Sequence, residues 1–399
     1  MKKTLFFTCI VLSVIFTTGC KKADLTHITP PTTSHTDTLK TDSIVTPAGL
    51  LANSIINGGA GIETSILKAD SLWEAGGIVW CSVHQTGAVV SLYYLCDDAQ
   101  KSRHLCYAYS NDGFHFVKPN LNQFNFKGSK NNNIIDIYFD SISFFYDETA
   151  PANPYKLIGM RHDHKLHTAY SKDGIKFTVD EKPFINYFSD TQNEIIYDAE
   201  TKKFKCYLRD YVLDKQIVNP LHGIYYYRGV GYYETDSLSE VQISPNAMHH
   251  PFSESFYSLT TEFPTILNYD RKGGSADVYT PGVIKYNKNT YIAYPSIFNY
   301  YPQPPVGQFF NDGYQSISLY TSADGKNFTL RKANFINHEP ASYYIGPGFA
   351  SKNGKLINYY WKTSTTHGMT QRVSELVAIQ YTIETQLLES INAYNNLPN

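Results

Sequence analysis

A short phrase recurs along this chain and limits the folds that it can adopt. It reads Ser-x-Asp-Gly-x-x-Phe and occurs at Ser110–Phe116, Ser171–Phe177 and Ser322–Phe328. Each copy follows an apolar, aromatic run, and Asp-Gly between two such runs is a strong β-hairpin signal, because Gly adopts positive φ without a Cβ clash. The Ser and Asp side chains can close the turn through local hydrogen bonds. We expect the Phe to begin the return strand and to pack against a neighbouring sheet.

The spacing of these hairpins predicts a repeat of whole sheets. Ser110 and Ser171 are 61 residues apart, and a degraded copy at Thr235 follows after a further 64 residues. About 60 residues accommodate four strands with their loops, which is the size of one propeller blade. The alternative is a two-sheet sandwich in which near-identical hairpins fall at blade spacing by chance.

Strand-like runs dominate from 61 to 382, and helical periodicity is scarce. They form five groups: Gly77–Val83, Val89–Cys96 and His104–Tyr109; Asn133–Asp147, Tyr155–Met160 and Leu166–Tyr170; Asn193–Tyr197, Phe204–Arg209 and Ile224–Glu234; Asp277–Tyr286, Thr290–Ser296 and Gln315–Thr321; Tyr343–Ser351, Lys355–Lys362 and Glu375–Thr382. We therefore predict an all-β fold, a five-bladed β-propeller of four-stranded antiparallel sheets. Either Gly61–Lys68 or the tail after Thr382 would close the ring. We expect Val241–Lys272 to be an irregular insertion over the cleft.

The N-terminus is typical of a bacterial lipoprotein signal. Residues 1–19 contain Lys2 and Lys3 and then the apolar run Leu5–Thr17, and Cys20 follows directly. The sequence predicts a lipidated Cys20, a disordered Thr-, Ser- and Pro-rich tether over 20–60, the propeller over 61–390 and a tail over 391–399. We expect a cell-envelope protein, anchored in the outer membrane on its periplasmic or surface face.

Four cysteines lie inside strand-like runs: Cys81, Cys96, Cys106 and Cys206. The Cys-x-x-Cys spacing that would indicate a zinc site is absent, so we interpret these four residues as buried free thiols. An export route would permit one disulfide, and Cys96 with Cys106 is the pair to test.

Charge and composition indicate which classes of partner the protein can bind. The formal net charge is −2, which gives no electrostatic case for nucleic acid binding. The chain has 33 Tyr and 23 Phe; Tyr stabilises strands, and Tyr and Trp also form platforms for sugar rings. We expect a carbohydrate partner, a membrane contact only through the N-terminal lipid, and a monomer.

With these hairpins, residues 61–382 resemble the furanosidase superfamily of glycoside hydrolase families 43, 32, 62 and 68. The related hairpin of sialidases has one more residue between Asp and Gly, whereas here the two are adjacent. Four further phrases resemble an uncharacterised bacterial lipoprotein branch of that superfamily: Lys127–Ile134, Asn153–Lys156, Ser189–Asn193 and Tyr207–Arg209.

The resemblance implies an active site at the centre of one propeller face, with three carboxylates from the first three blades. One activates water or attacks the anomeric carbon, one protonates the leaving oxygen, and a third adjusts pKa and binds sugar. The positions that match are Glu74, Asp140 and Asp190, with Asp70, Asp136 and Glu194 as the respective alternatives. The family 32 motifs and the Glu-Gly-Pro motif of family 43 are absent, so these assignments rest on position.

Other residues are candidates for substrate binding: Trp73, Asn193, Arg209, Asp277, Tyr279 and His367. Arg209 is the clearest of them, because a cation inside an apolar strand needs a carboxylate partner or a ligand. The sequence predicts no metal site and no cofactor, although it leaves open a structural calcium ion at the propeller axis.

Three functions follow from these observations. The first is a glycoside hydrolase that cleaves glycosidic bonds of an extracellular glycan with carboxylates in a central propeller pocket. The alternative is a non-catalytic, cell-surface glycan-binding lipoprotein. The third is a structural lipoprotein that uses the propeller as a rigid platform.

The lipid anchor gives the first testable prediction. Replacement of Cys20 by Ala should release the protein from the membrane fraction, because the acyl chains attached to that Cys provide the anchor. Fractionation and labelling with a fatty acid measure this. Unchanged membrane association, with no loss of label, would contradict the prediction.

Overall fold

The computed structural model describes residues 61–213, 226–241, 248–249, 257–258, 265–267, 276–301, 312–368 and 373–382. The predicted signal peptide, Cys20, the tether and the tail over 391–399 lie outside these residues. Within them, no helix has the length and apolar character needed to cross a membrane.

The regular secondary structure of the described residues is β-strand, apart from one 3₁₀ turn at Leu72–Glu74. In chain order the strands are β1 (Ile62–Lys68), β2 (Gly77–Thr86), β3 (Val89–Asp97), β4 (Arg103–Ser110), β5 (Ile134–Ile135), β6 (Ser143–Tyr146), β7 (Tyr155–Met160), β8 (Leu166–Ser171), β9 (Phe177–Val179), β10 (Glu194–Asp198), β11 (Lys203–Leu213), β12 (Tyr226–Thr235), β13 (Met248–His249), β14 (Tyr257–Ser258), β15 (Thr265–Leu267), β16 (Ala276–Thr280), β17 (Val283–Asn287), β18 (Thr290–Ala293), β19 (Ser296–Tyr300), β20 (Gly313–Ser322), β21 (Thr329–Ile336), β22 (Ser342–Lys352), β23 (Lys355–Thr363) and β24 (Ser374–Thr382).

These strands form the predicted five-bladed propeller. Blades one to three are the antiparallel sheets β2-β3-β4-β5, β6-β7-β8-β9 and β10-β11-β12-β15, and blade five is β22-β23-β24-β1. Blade four also has four strand paths, but its two inner paths are interrupted. The first path consists of β16 and β17, the second consists of β18 and β19, and β20 and β21 complete the sheet. The breaks fall at Pro281 and Pro295, which cannot donate a ladder hydrogen bond. The apolar cores lie between successive blades.

The ring closes through the N-terminal segment. Strand β1 pairs with β24 as the outer strand of blade five, which confirms one of the two closures predicted from the sequence. The predicted single strand Asn133–Asp147 is wrong: Ile134–Ile135 pairs with β4 in blade one, and Ser143–Tyr146 opens blade two. The connecting residues Phe139 and Ile142 are also buried, so the apolar pattern does not show where the chain passes from blade one to blade two.

The insertion Val241–Lys272 lies largely outside the described residues. Its described parts are a short ribbon of β13 and β14 and the strand β15, which completes blade three by pairing with β12. The predicted irregular segment therefore contains one regular strand of the blade.

The recurrent phrase connects neighbouring blades. In each copy the Ser Oγ accepts from the Gly N–H, and the Asp carboxylate accepts from the two N–H groups that follow the Gly. A Tyr from the second strand of the preceding blade then donates its hydroxyl to the Gly carbonyl: Tyr359 to Gly113 at 3.1 Å, Tyr93 to Gly174 at 2.9 Å and Tyr207 to Gly325 at 2.8 Å.

The Phe of each phrase packs edge-on against the same Tyr ring, with centroids 6.0–6.4 Å apart, as the sequence predicted for a neighbouring sheet. We call each Tyr, Gly and Phe set a hairpin clamp. Clamps join blades five and one, one and two, and three and four. Among the described residues, the other two junctions have none.

Polar side chains join the inner strands at the axis. Ser82 in blade one donates to the carbonyl of Pro347 in blade five and accepts from the N–H of Phe144 in blade two. Gln192, just before β10, donates to the carbonyls of Cys81 and Ile142. These contacts matter because inner strands of different blades share no ladder.

The described cysteines are free and buried, as predicted. The sulfur atoms of Cys96 and Cys106 lie 3.3 Å apart on adjacent strands, so the pair chosen from the sequence is in contact without a bond.

The clamp yields a stability prediction. Tyr93→Phe keeps the ring contact with Phe177 but leaves the Gly174 carbonyl without its donor, so it should lower the free energy of unfolding by about 1–2 kcal/mol. Gly174→Ala should cost more, because φ there is +76° and a Cβ would lie 2.8 Å from the Tyr93 hydroxyl oxygen.

Urea denaturation measures both changes. The matched control is Tyr286→Phe, since the described residues include no hydrogen-bond partner for the Tyr286 hydroxyl. Equal effects of the two Tyr→Phe changes would show that the clamp hydrogen bond contributes nothing.

Candidate functional site

The inner strands all begin on one side of the ring, here called the front face. Acidic residues stand at or just before four of these starts: Glu74 before β2, Asp140 before β6, Asp190 before β10 and Asp277 in β16. Each forms an ion pair with a Lys or Arg. The front face therefore carries a set of matched charges rather than free carboxylates.

Glu74 is fully buried and holds the loop that leads into blade one. Its carboxylate accepts from the N–H groups of Asp70 and Ser71, from the Tyr94 hydroxyl at 2.7 Å and from Lys118 Nζ at 2.8 Å. The neighbouring Trp73 donates its indole N–H to the Asn133 side chain. Both Glu74 oxygens are thus occupied by protein groups.

Asp140 lies at the junction of blades one and two. Its Oδ1 accepts from the Tyr138 hydroxyl at 2.5 Å and is 3.8 Å from Nη1 of Arg103. About a quarter of the side chain, 26 %, is exposed. Asp140 therefore has one solvent-facing side and one that is held by blade one.

Asp190 is the most exposed of the predicted catalytic acids, at 48 %. Its Oδ1 accepts from Nη1 of Arg209 at 2.5 Å. The loop that carries it is fixed by Asn193, which donates to Ser189 and to the Thr191 carbonyl and accepts the backbone N–H of Arg209. The sequence candidates Asp190, Asn193 and Arg209 therefore meet.

Tyr279 is the centre of the same cluster. The Arg209 guanidinium lies 4.3 Å and the Arg228 guanidinium 4.8 Å from the centroid of its ring. Its backbone carbonyl accepts from Arg209, and its hydroxyl is 3.1 Å from Nε2 of His367. His367, which follows blade five's strand β23, thus reaches the group from blades three and four.

Asp277 completes the cluster from the protein interior. Its Oδ2 accepts from Nε of Arg228 at 2.8 Å and from the Tyr300 hydroxyl at 2.8 Å. Burial alone would lower the pKa of Arg228, but Asp277 and Tyr300 more than offset this and raise it. Arg209, Arg228, Asp190, Asp277, Tyr279, Tyr300 and His367 are called the axial cluster below.

The structure thus separates the predicted site residues into three places. Six of them lie in or against the axial cluster: Asp190, Asn193, Arg209, Asp277, Tyr279 and His367. Glu74 and Trp73 lie at the start of blade one, and Asp140 lies beside Arg103. Each of the three predicted catalytic acids pairs with a different cation, so no shared ion pair joins them among the described residues, and their catalytic roles stay predictions.

Sequence reasoning missed Arg228, Tyr300 and Trp80. Arg228 carried the same signal as Arg209, a cation in an aromatic strand, but it stood in a Tyr-rich run that indicated only a sheet. Trp80 has φ +46° at an irregularity in the β2–β3 pairing, and its ring stacks on Tyr279 at 6.2 Å. Nothing in the sequence marks that bulge.

A cavity lies on the axis at the opposite, back face. Its volume is about 270 Å³, and all five inner-strand paths line it, with Glu194, His84 and Lys285 among aliphatic and aromatic side chains. Burial raises the pKa of Glu194 to about 8, although the N–H groups of Gly282 and Val283 act in the opposite direction by donating to its carboxylate. Burial lowers the pKa of His84 to about 4.

In the described part of the chain, no group of three or more His, Cys, Asp or Glu side chains could hold a metal ion. The calcium ion that the sequence left open stays untested, as do the other cofactor expectations.

No protein-family model matches the sequence. No curated protein matches it either. Solved structures do. One described as "Glycoside hydrolase" gives a TM-score of 0.52 at 11 % identity and covers 82 % of this chain and 94 % of that chain.

A glycosyl hydrolase from Bacteroides ovatus gives a TM-score of 0.50 at 12 % identity and covers 82 % of this chain and 95 % of that chain. At these identities the similarity establishes the fold. This chain has the five-bladed propeller found in glycoside hydrolases, as the sequence predicted.

Glu194 gives a prediction about pH dependence. Its folded pKa of about 8 lies above the ordinary value of 4.5, so the folded protein keeps a proton that the unfolded chain releases. Stability is therefore lost as pH rises from about 4.5 to about 8. Glu194→Gln cannot titrate and should lack this loss, which we expect to be about 2–4 kcal/mol.

Urea unfolding of both proteins at pH 5 and pH 8 gives the comparison. His84 contributes equally to both and cancels. Glu181→Gln, which changes an exposed acid, should keep the original pH dependence. An identical pH dependence in Glu194→Gln would exclude the raised pKa.

Proposed function

We propose that this protein binds an extracellular glycan at the front face of the propeller axis and hydrolyses a glycosidic bond there. The observation that carries the proposal is the axial cluster, in which charged and aromatic side chains from blades three and four meet His367 beside blade five. A ring held together by apolar cores has no need of two buried guanidinium groups at this point. The glycoside hydrolase fold supports the same proposal.

The reaction requires two carboxyl groups on either side of the glycosidic bond. Asp190 and Asp140 are the two predicted acids that retain exposed surface on the front face, whereas Glu74 is enclosed. We assign the attack, on water or on the anomeric carbon, to Asp190, because it accepts a charge-assisted hydrogen bond from Arg209 at 2.5 Å, whereas the nearest guanidinium nitrogen of Arg103 is 3.8 Å from Asp140. Asp140 is then the proton donor, and Glu74 holds the loop before β2.

The aromatic members of the site would bind the sugar. Tyr279 and Tyr300 line the cluster, and Trp80 supports the Tyr279 ring from the side of blade one. The lipoprotein-type N-terminus supports a location in the cell envelope, where polymeric glycans are accessible.

A second candidate is glycan binding without catalysis. The observation that favours it is that each predicted catalytic acid already contacts a cation: Lys118 for Glu74, Arg103 for Asp140 and Arg209 for Asp190. Such pairs are stable without substrate, and a binding protein needs no proton donor.

A screen of the soluble domain separates the two functions. The substrates are p-nitrophenyl furanosides and pyranosides together with plant and algal polysaccharides, and the measurement is release of nitrophenol or of reducing ends. With an active substrate, Asp190→Asn and Asp140→Asn should each lower kcat by about 10²–10⁴-fold. Glu181→Gln is the control and should retain full turnover.

Calorimetry on the same glycans completes the test. Binding that is weakened by Tyr279→Ala, with no turnover by the unaltered protein, would favour the binding function. Wild-type turnover in both Asn variants would refute the catalytic assignment.

A further inference from the structure

Arg228 has an environment that structural support alone does not account for. Its guanidinium is surrounded by three aromatic rings, with centroids of Phe298, Tyr279 and Tyr300 at 4.6, 4.8 and 5.6 Å. Its Nε donates to Asp277 and its Nη2 to the Tyr300 hydroxyl. Its Nη1 has no hydrogen-bond partner among the described residues.

The charges of the axial cluster are unevenly distributed between interior and solvent. Arg209 and Arg228 are 2 % and 6 % exposed and Asp277 is fully buried, whereas the Asp190 side chain is 48 % exposed. Water screens Asp190, so the buried part of the cluster contains two cations and one anion. An incompletely balanced buried cation is costly, and a bound anion would offset that cost.

The chemistry of the Nη1 group of Arg228 indicates which kind of anion it would bind. A guanidinium is weakly hydrated and permanently charged, and the Nη1 of Arg228 can donate a charge-assisted hydrogen bond to one oxygen of a carboxylate. Of the three rings around Arg228, Phe298 and Tyr279 are buried and Tyr300 is partly exposed, so Tyr300 offers the face against which a sugar ring can pack. The group that combines a pyranose ring with a carboxylate is a uronic acid.

We propose that Arg228 binds the carboxylate of a uronic acid residue through Nη1, and that the substrate class is therefore an acidic glycan. This rests on the proposed function, because it places the acidic sugar in the same front-face site. Asp190 keeps its contact with Arg209, so recognition of the acid and attack at the anomeric carbon use different arginines.

The test compares paired ligands. The probes are oligosaccharides that contain galacturonic, glucuronic, mannuronic or guluronic acid, each with its carboxyl-reduced neutral counterpart, and one sulfated neutral oligosaccharide. Calorimetry should show that the full-length protein binds at least one acid about 10–100-fold more tightly than its neutral counterpart. Arg228→Gln should reduce this ratio to within about 3-fold.

Loss of Arg228 alone leaves Asp277 buried without its cation, so the double variant Arg228→Gln, Asp277→Asn is measured as well. Thermal melting checks that both variants are folded. Arg331→Gln is the matched control, since Arg331 donates to Thr321 in blade four outside the cluster. It should keep the acid preference of the unaltered protein.

The outcomes separate this inference from the proposed function. If no acid binds more tightly than its reduced counterpart, the inference is overturned, whether or not neutral glycans are hydrolysed. The same holds if only the sulfated probe depends on Arg228, or if the acid preference survives in both variants. An Arg228-dependent acid preference without any turnover supports the inference and removes the hydrolytic assignment.

Discussion

The hydrogen bond from a Tyr hydroxyl to the carbonyl of a hairpin Gly is the interaction on which the ring depends. Blades of a propeller share no backbone ladder, so side chains must hold neighbours in register. Tyr93, Tyr207 and Tyr359 do this at three junctions and also supply the ring against which the hairpin Phe packs. Gly is required at this position for two reasons: its φ is positive, and a Cβ atom would come too close to the Tyr hydroxyl.

The axis shows how the same scaffold positions a site. Ser82 and Gln192 tie the inner strands together with neutral hydrogen bonds, whereas Arg209 and Arg228 bring charge to the front face. Neutral bridges suffice for closure because each one satisfies backbone carbonyls. The buried ion pairs do something different, since replacing such pairs by apolar residues often leaves stability unchanged. They are the groups on which the proposed glycan site rests.

The fold was predictable from the sequence because its determinants are local. Ser-x-Asp-Gly specifies a turn wherever it stands, and the copies at Ser110 and Ser171 with the degraded copy at Thr235 stand at blade spacing, which predicts a ring. The site was only partly predictable, because it is made by residues distant in sequence. Arg209 could be recognised as a cation in an apolar strand, but its partner Tyr279 is 70 residues away. The prediction of one strand over Asn133–Asp147 was wrong because the residues that connect blade one to blade two are buried as the strands are, so hydrophobicity does not mark the connection.

The clamps divide the ring into two sets, blades five, one and two, and blades three and four. Asp140 and Glu74 belong to the first set, and Arg209, Arg228, Asp190 and Asp277 belong to the second. A saccharide that reached from Asp140 to Asp190 would therefore span a junction at which the described residues include no hairpin clamp. Ligand affinity and resistance of that junction to opening would then be linked quantities, each strengthened by the other through mass action.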